Sequence, residues 1–301
     1  QSLMTELHRY IGPEIDVPAG DIGVGQREIG YLFGMYKKLS REHTGTITGK
    51  GLTFGGSRIR PEATGYGLVF FLEEMLRTHG QDMEGKRVAI SGAGNVAQYA
   101  AEQALKLSAK VVAMSDSSGT IYDKDGIDAE KLDWIKTLKN EQRGRLKEYA
   151  EKYGADYYEG EKPWSVDCDI ALPCATQNEI EAADIKSLAK NGCIALAEGA
   201  NMPLTAEASR AVRETDLLYA PGKAANAGGV ATSGLEMSQN SLGLSWSREE
   251  VSKRLRAIMC DIHQTCCEYG STDGQQIDYV RGANLGGFRK IAGAMTAQGV
   301  V

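Results

Sequence analysis

Four short stretches of this 301-residue chain carry residue types that could do chemistry. The first, Gly92-Ala93-Gly94-Asn95-Val96-Ala97, is a G-x-G-x-x-A turn directly after the apolar run Arg87 to Ser91 and directly before a helical pattern. In that setting the first glycine allows a sharp turn and the second lets backbone approach a pyrophosphate. Ala97 allows close helix-on-strand packing, and the helix N–H groups face the phosphates. Dinucleotide binding therefore outweighs an ordinary glycine turn. The second stretch, Ala113 to Ser118, closes the next apolar run. It falls about 20 residues past the glycine turn, where a side chain meets the adenosine ribose. Asp116 would accept from a ribose 2′-hydroxyl and repel a 2′-phosphate, favouring NAD, whereas Ser115 would tolerate the phosphate, favouring NADP. Ser117, Ser118 and the basic cluster Lys136, Lys139, Arg143 and Arg145 could add donors, although such a cluster is also what a solvated helix face looks like. These residues alone leave both cofactors open.

The third stretch, Asp16 to Gly25, packs turn formers around two carboxylates. Asp21 reads equally as an Asx-turn residue and as a loop carboxylate that shuttles protons beside a cofactor. The fourth, Asn226-Ala227-Gly228-Gly229-Val230 followed by Ser233-Gly234, joins glycines to small polar side chains at a predicted helix start. Such an end suits a carboxylate substrate, and close helix packing explains the small residues equally well.

The elements that must position these residues follow from periodicity. Apolar residues at helical spacing predict helices from Gln26 to Arg41 and from Ala63 to Thr78. They are separated by a Gly/Thr-rich connection, Thr44 to Ser57, that is a candidate domain boundary. Short apolar runs at Val88 to Ile90, Val111 to Met114, Ile170 to Leu172, Ile194 to Leu196 and Leu217 to Tyr219 predict strands buried on both faces. Helical stretches lie between them at Val96 to Leu107, Ala129 to Lys139, Arg145 to Lys152, Glu181 to Ala189 and Thr205 to Val212. The alternation predicts an α/β fold with a doubly wound, Rossmann-like parallel sheet. After Gly228 the pattern is helical, including Ser247 to Glu268 with a Ser-x-x-Glu capping box and a last helix from Leu285 to Ala297.

Composition narrows the function classes. With 34 Lys plus Arg against 40 Asp plus Glu, the formal charge of −6 disfavours a nucleic-acid partner. The six cysteines sit at no metal-binding spacing, which predicts a metal-free, reducing, cytoplasmic setting. No apolar run approaches the length of about 20 residues that a membrane span requires. The chain opens on Gln1 and enters globular sequence at once, which predicts a piece lacking its N-terminus.

The segments DVPAGDIGVG, RPEATGYG, SGAGNVA, SDSSGT, PCATQNE, EGANMP, APGKAANAGGVATSGLEMSQN and GANLGGFRKIAGAMTAQGV together resemble hexameric glutamate dehydrogenases of the bacterial and lower-eukaryotic NADP-specific type, in register from Gln1 to Val301. The resemblance implies reversible NADP-dependent oxidative deamination of L-glutamate to 2-oxoglutarate and ammonia in a homohexamer. It makes Asp21 the catalytic acid. It places Arg60, Thr64 and Asn95 on the nicotinamide carboxamide side, and Gly92, Gly94 and Val96 in the phosphate turn. Asn226 falls at the nicotinamide ribose, Val230 and Ser233 in the substrate pocket, and Ser115, Ser117 and Lys139 at the 2′-phosphate. Asp116 also occurs in NADP-type relatives, which removes most of its weight as an NAD signal. Where some of them carry a further basic residue, this chain has Glu141-Gln142.

By the same resemblance, residues 1–55 are a remnant of a substrate-binding and oligomerisation domain. Residues 56–270 form the dinucleotide-binding domain with pivot helices, and 271–301 a C-terminal helix returning to the first domain. The family's glycine- and lysine-rich substrate motif is not found in these residues, so the isolated polypeptide is expected to bind cofactor better than it turns over. Two alternatives stand beside this reading: a related branched-chain or aromatic amino-acid dehydrogenase, and a catalytically incomplete dinucleotide-binding module.

Overall fold

Apolar runs too short for helices become the centre of a sheet, because strands covered on both faces can bury every side chain. The computed structural model describes residues 1–21, 23–271 and 276–299. In chain order its elements are helices α1 (Ser2–Leu7), α2 (Gln26–Ser40) and α3 (Ala63–Thr78), strand β1 (Arg87–Ser91), helix α4 (Asn95–Lys106), and strands β2 (Lys110–Asp116) and β3 (Gly119–Tyr122). Helices α5 (Ala129–Thr137) and α6 (Lys147–Tyr153) follow, then strands β4 (Asp156–Glu159) and β5 (Ile170–Pro173), helix α7 (Ala182–Lys190), strand β6 (Ala195–Ala197), helix α8 (Ala206–Ala211) and strand β7 (Leu218–Ala220). The chain finishes with helices α9 (Gly222–Ala225), α10 (Gly228–Leu242), α11 (Arg248–Gly270) and α12 (Tyr279–Gln298).

Two compact units form. One comprises Gln1–Ala63 with Gly229–Ala257, the other Thr64–Gly228 with Ile258 onward. The second holds the seven-stranded sheet in the order β4-β3-β2-β1-β5-β6-β7. Strands β2, β1, β5, β6 and β7 are parallel, as the buried apolar runs require. The chain leaves β1 toward β2 and later returns to β5 on the other side of β1, so the strand order reverses between β1 and β5. Ligands of doubly wound sheets bind outside the carboxyl ends of the strands at such a reversal.

The sheet differs from a purely parallel one at its edge, where β3 runs antiparallel to β2 and β4 antiparallel to β3. Both strands have only four residues, too few for their alternation to stand out in the sequence. Helix α5 also stops short of its apolar pattern and passes into a wide turn, Leu138–Gln142, ended by Arg143 in the left-handed region at φ 56°. The last helix starts earlier than its apolar residues suggest, because Asp278 caps it by accepting from the Arg281 N–H at 2.9 Å. Ser247 accepts from the Glu250 N–H at 3.2 Å and so supplies its half of the expected cap on α11.

The first unit packs Met4, Ile11, Ile29, Phe33, Tyr36 and Ile47 into a core of its own. The Thr44 to Ser57 connection lies wholly within this unit and is bound to α10. Thr48 Oγ1 donates to Ser233 Oγ at 3.1 Å, Gln239 Nε2 to Ser57 Oγ at 2.8 Å, and Asn240 Nδ2 to the Gly55 carbonyl at 2.7 Å.

Candidate dinucleotide site

The glycine turn sits at the reversal of strand order. Gly92 leaves β1 with φ +84°, and a Cβ there would lie 3.1 Å from Ala175 Cα just past the end of β5, so the position requires glycine. Gly94 is the residue before α4, and a Cβ on it would meet nothing within 4 Å. Open space above that backbone, at the start of a 12-residue helix, fits a pyrophosphate. Asn95 and Val96 form the first helical positions, and Ala97 is fully buried.

Side chains brace the turn from three directions. Ser115, buried near the end of β2, accepts from the Gly92 N–H at 3.0 Å. Gln98 Nε2 donates to the Ala93 carbonyl at 2.8 Å and exchanges hydrogen bonds with Asn140. Ser91 Oγ accepts from the Cys174 N–H at 2.9 Å, and Glu179 Oε1 from the N–H groups of Ala175 and Thr176 at 3.1 and 3.3 Å. Burial pushes the Glu179 carboxyl up, against the lowering effect of these donors. Gln98 and Glu179 lie in no recognisable spacing, and only the fold shows what they hold.

At the end of β2, Asp116 is tied on every side. It accepts from Lys139 Nζ and the Leu146 N–H, each at 3.0 Å, and from the Ser118 N–H at 2.9 Å. Burial works against its ionisation, but these donors together hold its pKa below the ordinary aspartate value. Lys139 also donates to the Gly144 carbonyl at 2.8 Å, and Arg145 Nη1 to Ser117 Oγ at 2.6 Å. Three of the four basic residues of the sequence cluster are thereby sorted. Lys139 and Arg145 gather at the β2 end, whereas Lys136 turns to Glu102 on α4 at 2.6 Å. Asn226, half-buried at the end of α9, donates to the Ala200 carbonyl at 3.3 Å and to Asn201 Oδ1 at 2.7 Å.

The remaining residues singled out in the sequence are distributed over both units. Asp21 is exposed in a turn closed by the Val24 N–H on its carbonyl at 2.8 Å; its neighbour Ile22 lies outside the described residues. Val230 and Ser233 are one helical turn apart on α10, Val230 72% exposed and Ser233 buried. Arg60 Nε donates to Ser233 Oγ at 3.1 Å, and burial lowers the guanidinium pKa against the raising effect of Glu236. Beneath this pair, Lys50 Nζ meets Glu236 Oε1 at 2.8 Å with both side chains fully buried. Thr64 stands near the start of α3, half-buried in the second unit. Among the described residues no group of acids, histidines and cysteines could hold a metal ion, all six cysteines are free thiols, and no helix is long and apolar enough to cross a membrane.

A glycine turn at the reversal point of a doubly wound sheet, with open space above the Gly94 backbone and polar side chains at the next strand end, defines a dinucleotide-binding α/β protein. Residues 55–299 match the Glutamate/Leucine/Phenylalanine/Valine dehydrogenase family, and residues 1–38 match the dimerisation domain of Glu/Leu/Phe/Val dehydrogenases. The chain is 61% identical over 300 residues to the NAD(P)-specific glutamate dehydrogenase of Xylanibacter ruminicola, matching all of this chain and 68% of that protein. It is 59% identical over 301 residues to the NADP-specific glutamate dehydrogenase of Haemophilus influenzae, matching 67% of it. The crystal structure of Plasmodium falciparum glutamate dehydrogenase superposes with a TM-score of 0.96 at 48% identity, over 99% of this chain and 64% of that one. The chain belongs to the glutamate, leucine, phenylalanine and valine dehydrogenase family, and it spans about two thirds of the length of these relatives.

Proposed function

We propose that this polypeptide is the cofactor-binding and proton-exchanging part of an NADP-dependent glutamate dehydrogenase, an oxidoreductase that interconverts L-glutamate with 2-oxoglutarate and ammonia. The observation that carries this reading is the Gly92 to Gly94 turn at the β1/β5 reversal, in a chain 59% identical to an NADP-specific glutamate dehydrogenase. Bound NADP supplies a hydride acceptor at the nicotinamide ring. The chain's own residues do the rest. Gly92 makes the sharp turn, with its N–H given to Ser115 on β2, and the backbone at Gly94 and Val96, at the start of α4, receives the pyrophosphate. Ser117 and Lys139 hold the 2′-phosphate, with Asp116 orienting the lysine. Arg60, Thr64 and Asn95 serve the carboxamide side and Asn226 the nicotinamide ribose.

On the substrate side, Val230 lines the pocket and Ser233 reaches the side-chain carboxylate of glutamate. Ser233 Oγ accepts from both Thr48 and Arg60, so its own proton is left to donate, which suits a carboxylate acceptor. Against a leucine or phenylalanine side chain the same hydroxyl would be desolvated without a partner, which disfavours the apolar substrates of the wider family. Asp21 exchanges protons with the reacting amine, a task that needs hydrogen-bond reach. The complete enzyme is a cytoplasmic homohexamer in this reading. Residues 1–55 serve substrate binding and oligomerisation and 56–270 the cofactor, while helix α12 groups with the sheet unit.

Fluorescence titration of the chain with NADPH and NADH tests the cofactor assignment, with tighter NADPH binding expected. The activity is tested in the full-length enzyme by following NADPH consumption with 2-oxoglutarate and ammonia. There Asp21→Asn should lower kcat by several orders of magnitude with NADPH affinity kept. Absence of NADPH binding, or near-normal kcat in the Asn variant, refutes the corresponding assignment.

A further inference from the structure

Glu198 is a buried carboxylate directly after β6 that the proposed chemistry does not use; its side chain faces inward and only 5% of the residue is exposed. Its two oxygens are spent on two different elements. Oε1 accepts from the Tyr219 hydroxyl on β7 at 2.6 Å, and Oε2 from the Gly222 N–H at the start of α9, also at 2.6 Å. Hydrogen bonds of this length to a carboxylate are the strong kind. Gly222 has no slack: a Cβ there would lie 2.9 Å from the Ala200 carbonyl oxygen and 3.1 Å from Glu198 Oε2. One helical turn later the Asn226 N–H donates to the Gly222 carbonyl at 2.9 Å, so the backbone that Glu198 anchors at one end carries Asn226 at the other.

The amide of Asn226 is held by the same loop. Its Nδ2 donates to the Ala200 carbonyl and to Asn201 Oδ1, two and three residues past Glu198. Both amide donors are thus engaged, and Asn226 Oδ1 accepts no hydrogen bond from the described residues. A half-buried amide with its donors spent and its oxygen available is set up to accept from an O–H, which is what a ribose hydroxyl offers.

We propose that Glu198 is a positioning residue for the cofactor: by clamping Gly222 and Tyr219 it fixes Asn226 with its amide oxygen presented to the nicotinamide ribose. The inference rests on the assignment of Asn226 to that ribose. The opposed effects on its ionisation fit a clamp, since burial raises the Glu198 pKa while the Tyr219 hydroxyl and the Gly222 N–H lower it. A glutamine at 198 would preserve the clamp. Its oxygen accepts from Gly222 and its amide donates to the tyrosyl oxygen, which accepts as readily as it donates.

The test measures Kd for NADPH and for adenosine 2′,5′-bisphosphate, which lacks the nicotinamide half, in the wild-type chain and in Glu198→Ala, Glu198→Gln, Tyr219→Phe, Asn226→Ala and the Glu198→Ala/Asn226→Ala double variant. Glu198→Ala should weaken NADPH about tenfold and the bisphosphate less than twofold, and Glu198→Gln should stay within about threefold of wild type. Tyr219→Phe, which removes one anchor and keeps the ring, should fall between them. The double variant should bind NADPH no more weakly than Asn226→Ala alone, because two changes that remove one interaction are not additive. Equal losses for both ligands, additive losses, or an unchanged Glu198→Ala would overturn the inference. Should Glu198→Ala not fold, a wild-type-like Tyr219→Phe, or a Glu198→Gln as weak as Asn226→Ala, would do so. A wild-type chain that binds the bisphosphate and gains nothing from the nicotinamide half, with Asn226→Ala unchanged, would instead remove the Asn226 assignment and the inference with it.

Discussion

Two lysine–carboxylate pairs of nearly the same length have different surroundings. Lys50–Glu236 at 2.8 Å has no exposed side-chain surface on either partner, and Glu236 also accepts from the N–H groups of Gly49 and Lys50 at 3.0 and 3.3 Å. Lys139–Asp116 at 3.0 Å keeps 17% of the lysine side chain in contact with solvent and stands among Ser117 and Arg145 at the end of β2. The first pair is closed on itself and can only hold α10 to the connection before it. The second has a cation that still reaches solvent, which in the proposed function an incoming phosphate shares. Burial, not pair geometry, separates a structural ion pair from a ligand-ready one, because desolvation fixes what else the charge can reach.

The comparison is tested hardest at Lys50. Lys50→Ala leaves a buried carboxylate without its cation and should destabilise the protein by about 3–5 kcal/mol, read by chemical denaturation. The double change Lys50→Met/Glu236→Leu removes both charges and should recover most of that loss. A cost under about 1 kcal/mol for Lys50→Ala would mean that this charge is solvated after all.

Lys139→Ala should show the reverse balance. The main effect falls on ligand binding: NADPH affinity drops about 10- to 100-fold, because a phosphate loses a charged donor, while NADH affinity changes less than about twofold. Stability should fall by only ~1–2 kcal/mol, since Asp116 retains two backbone N–H donors. Equal losses for the two cofactors would place the 2′-phosphate elsewhere.

The acid side of the same pair predicts a pH dependence. Burial raises the Asp116 pKa, but the N–H groups of Leu146 and Ser118 together with Lys139 bring it below that of an unfolded aspartate. The stabilisation is therefore complete above the unfolded pKa of about 3.9 and is lost as pH falls from there through the folded value. Asp116→Asn should flatten the decline in stability below about pH 4 relative to wild type. A decline of unchanged slope would show that other carboxylates account for it.

Backbone-encoded parts of the molecule were legible in the sequence. The five parallel strands announce themselves as uninterrupted apolar runs. The glycine turn is readable because only glycine tolerates its first position, where φ is +84°. Charge-encoded parts were not. Lys136, Lys139, Arg143 and Arg145 look alike in the sequence, and what the two lysines do depends on which carboxylate the fold brings beside each. Glu102 reaches Lys136 from α4 and Asp116 reaches Lys139 from β2, across sequence separations of 34 and 23 residues. The roles of Gln98, Glu179 and Glu198 were invisible for a related reason: each holds backbone groups of a neighbouring loop, and such partners leave no side-chain pattern to read.

Lys136 gives the smallest expected effect and the sharpest control. It lies three residues before Lys139, yet it donates to Glu102 at 2.6 Å, and Glu102 also accepts from Lys106 at 2.7 Å and from the Tyr66 hydroxyl. Burial opposes the ionisation of Glu102, but Lys106, Lys136 and Tyr66 together bring its pKa down to about 2. Lys136→Ala therefore removes one of three partners from a carboxylate that stays paired, which should cost no more than ~1 kcal/mol. Because Lys136 is committed to the α4 side, its loss should leave NADPH affinity within about twofold of wild type, in contrast to Lys139→Ala. A tenfold loss of NADPH binding in Lys136→Ala would mean that the lysine leaves Glu102 for the phosphate, and the distinction between closed and ligand-ready pairs would have to be redrawn to include a partner exchange.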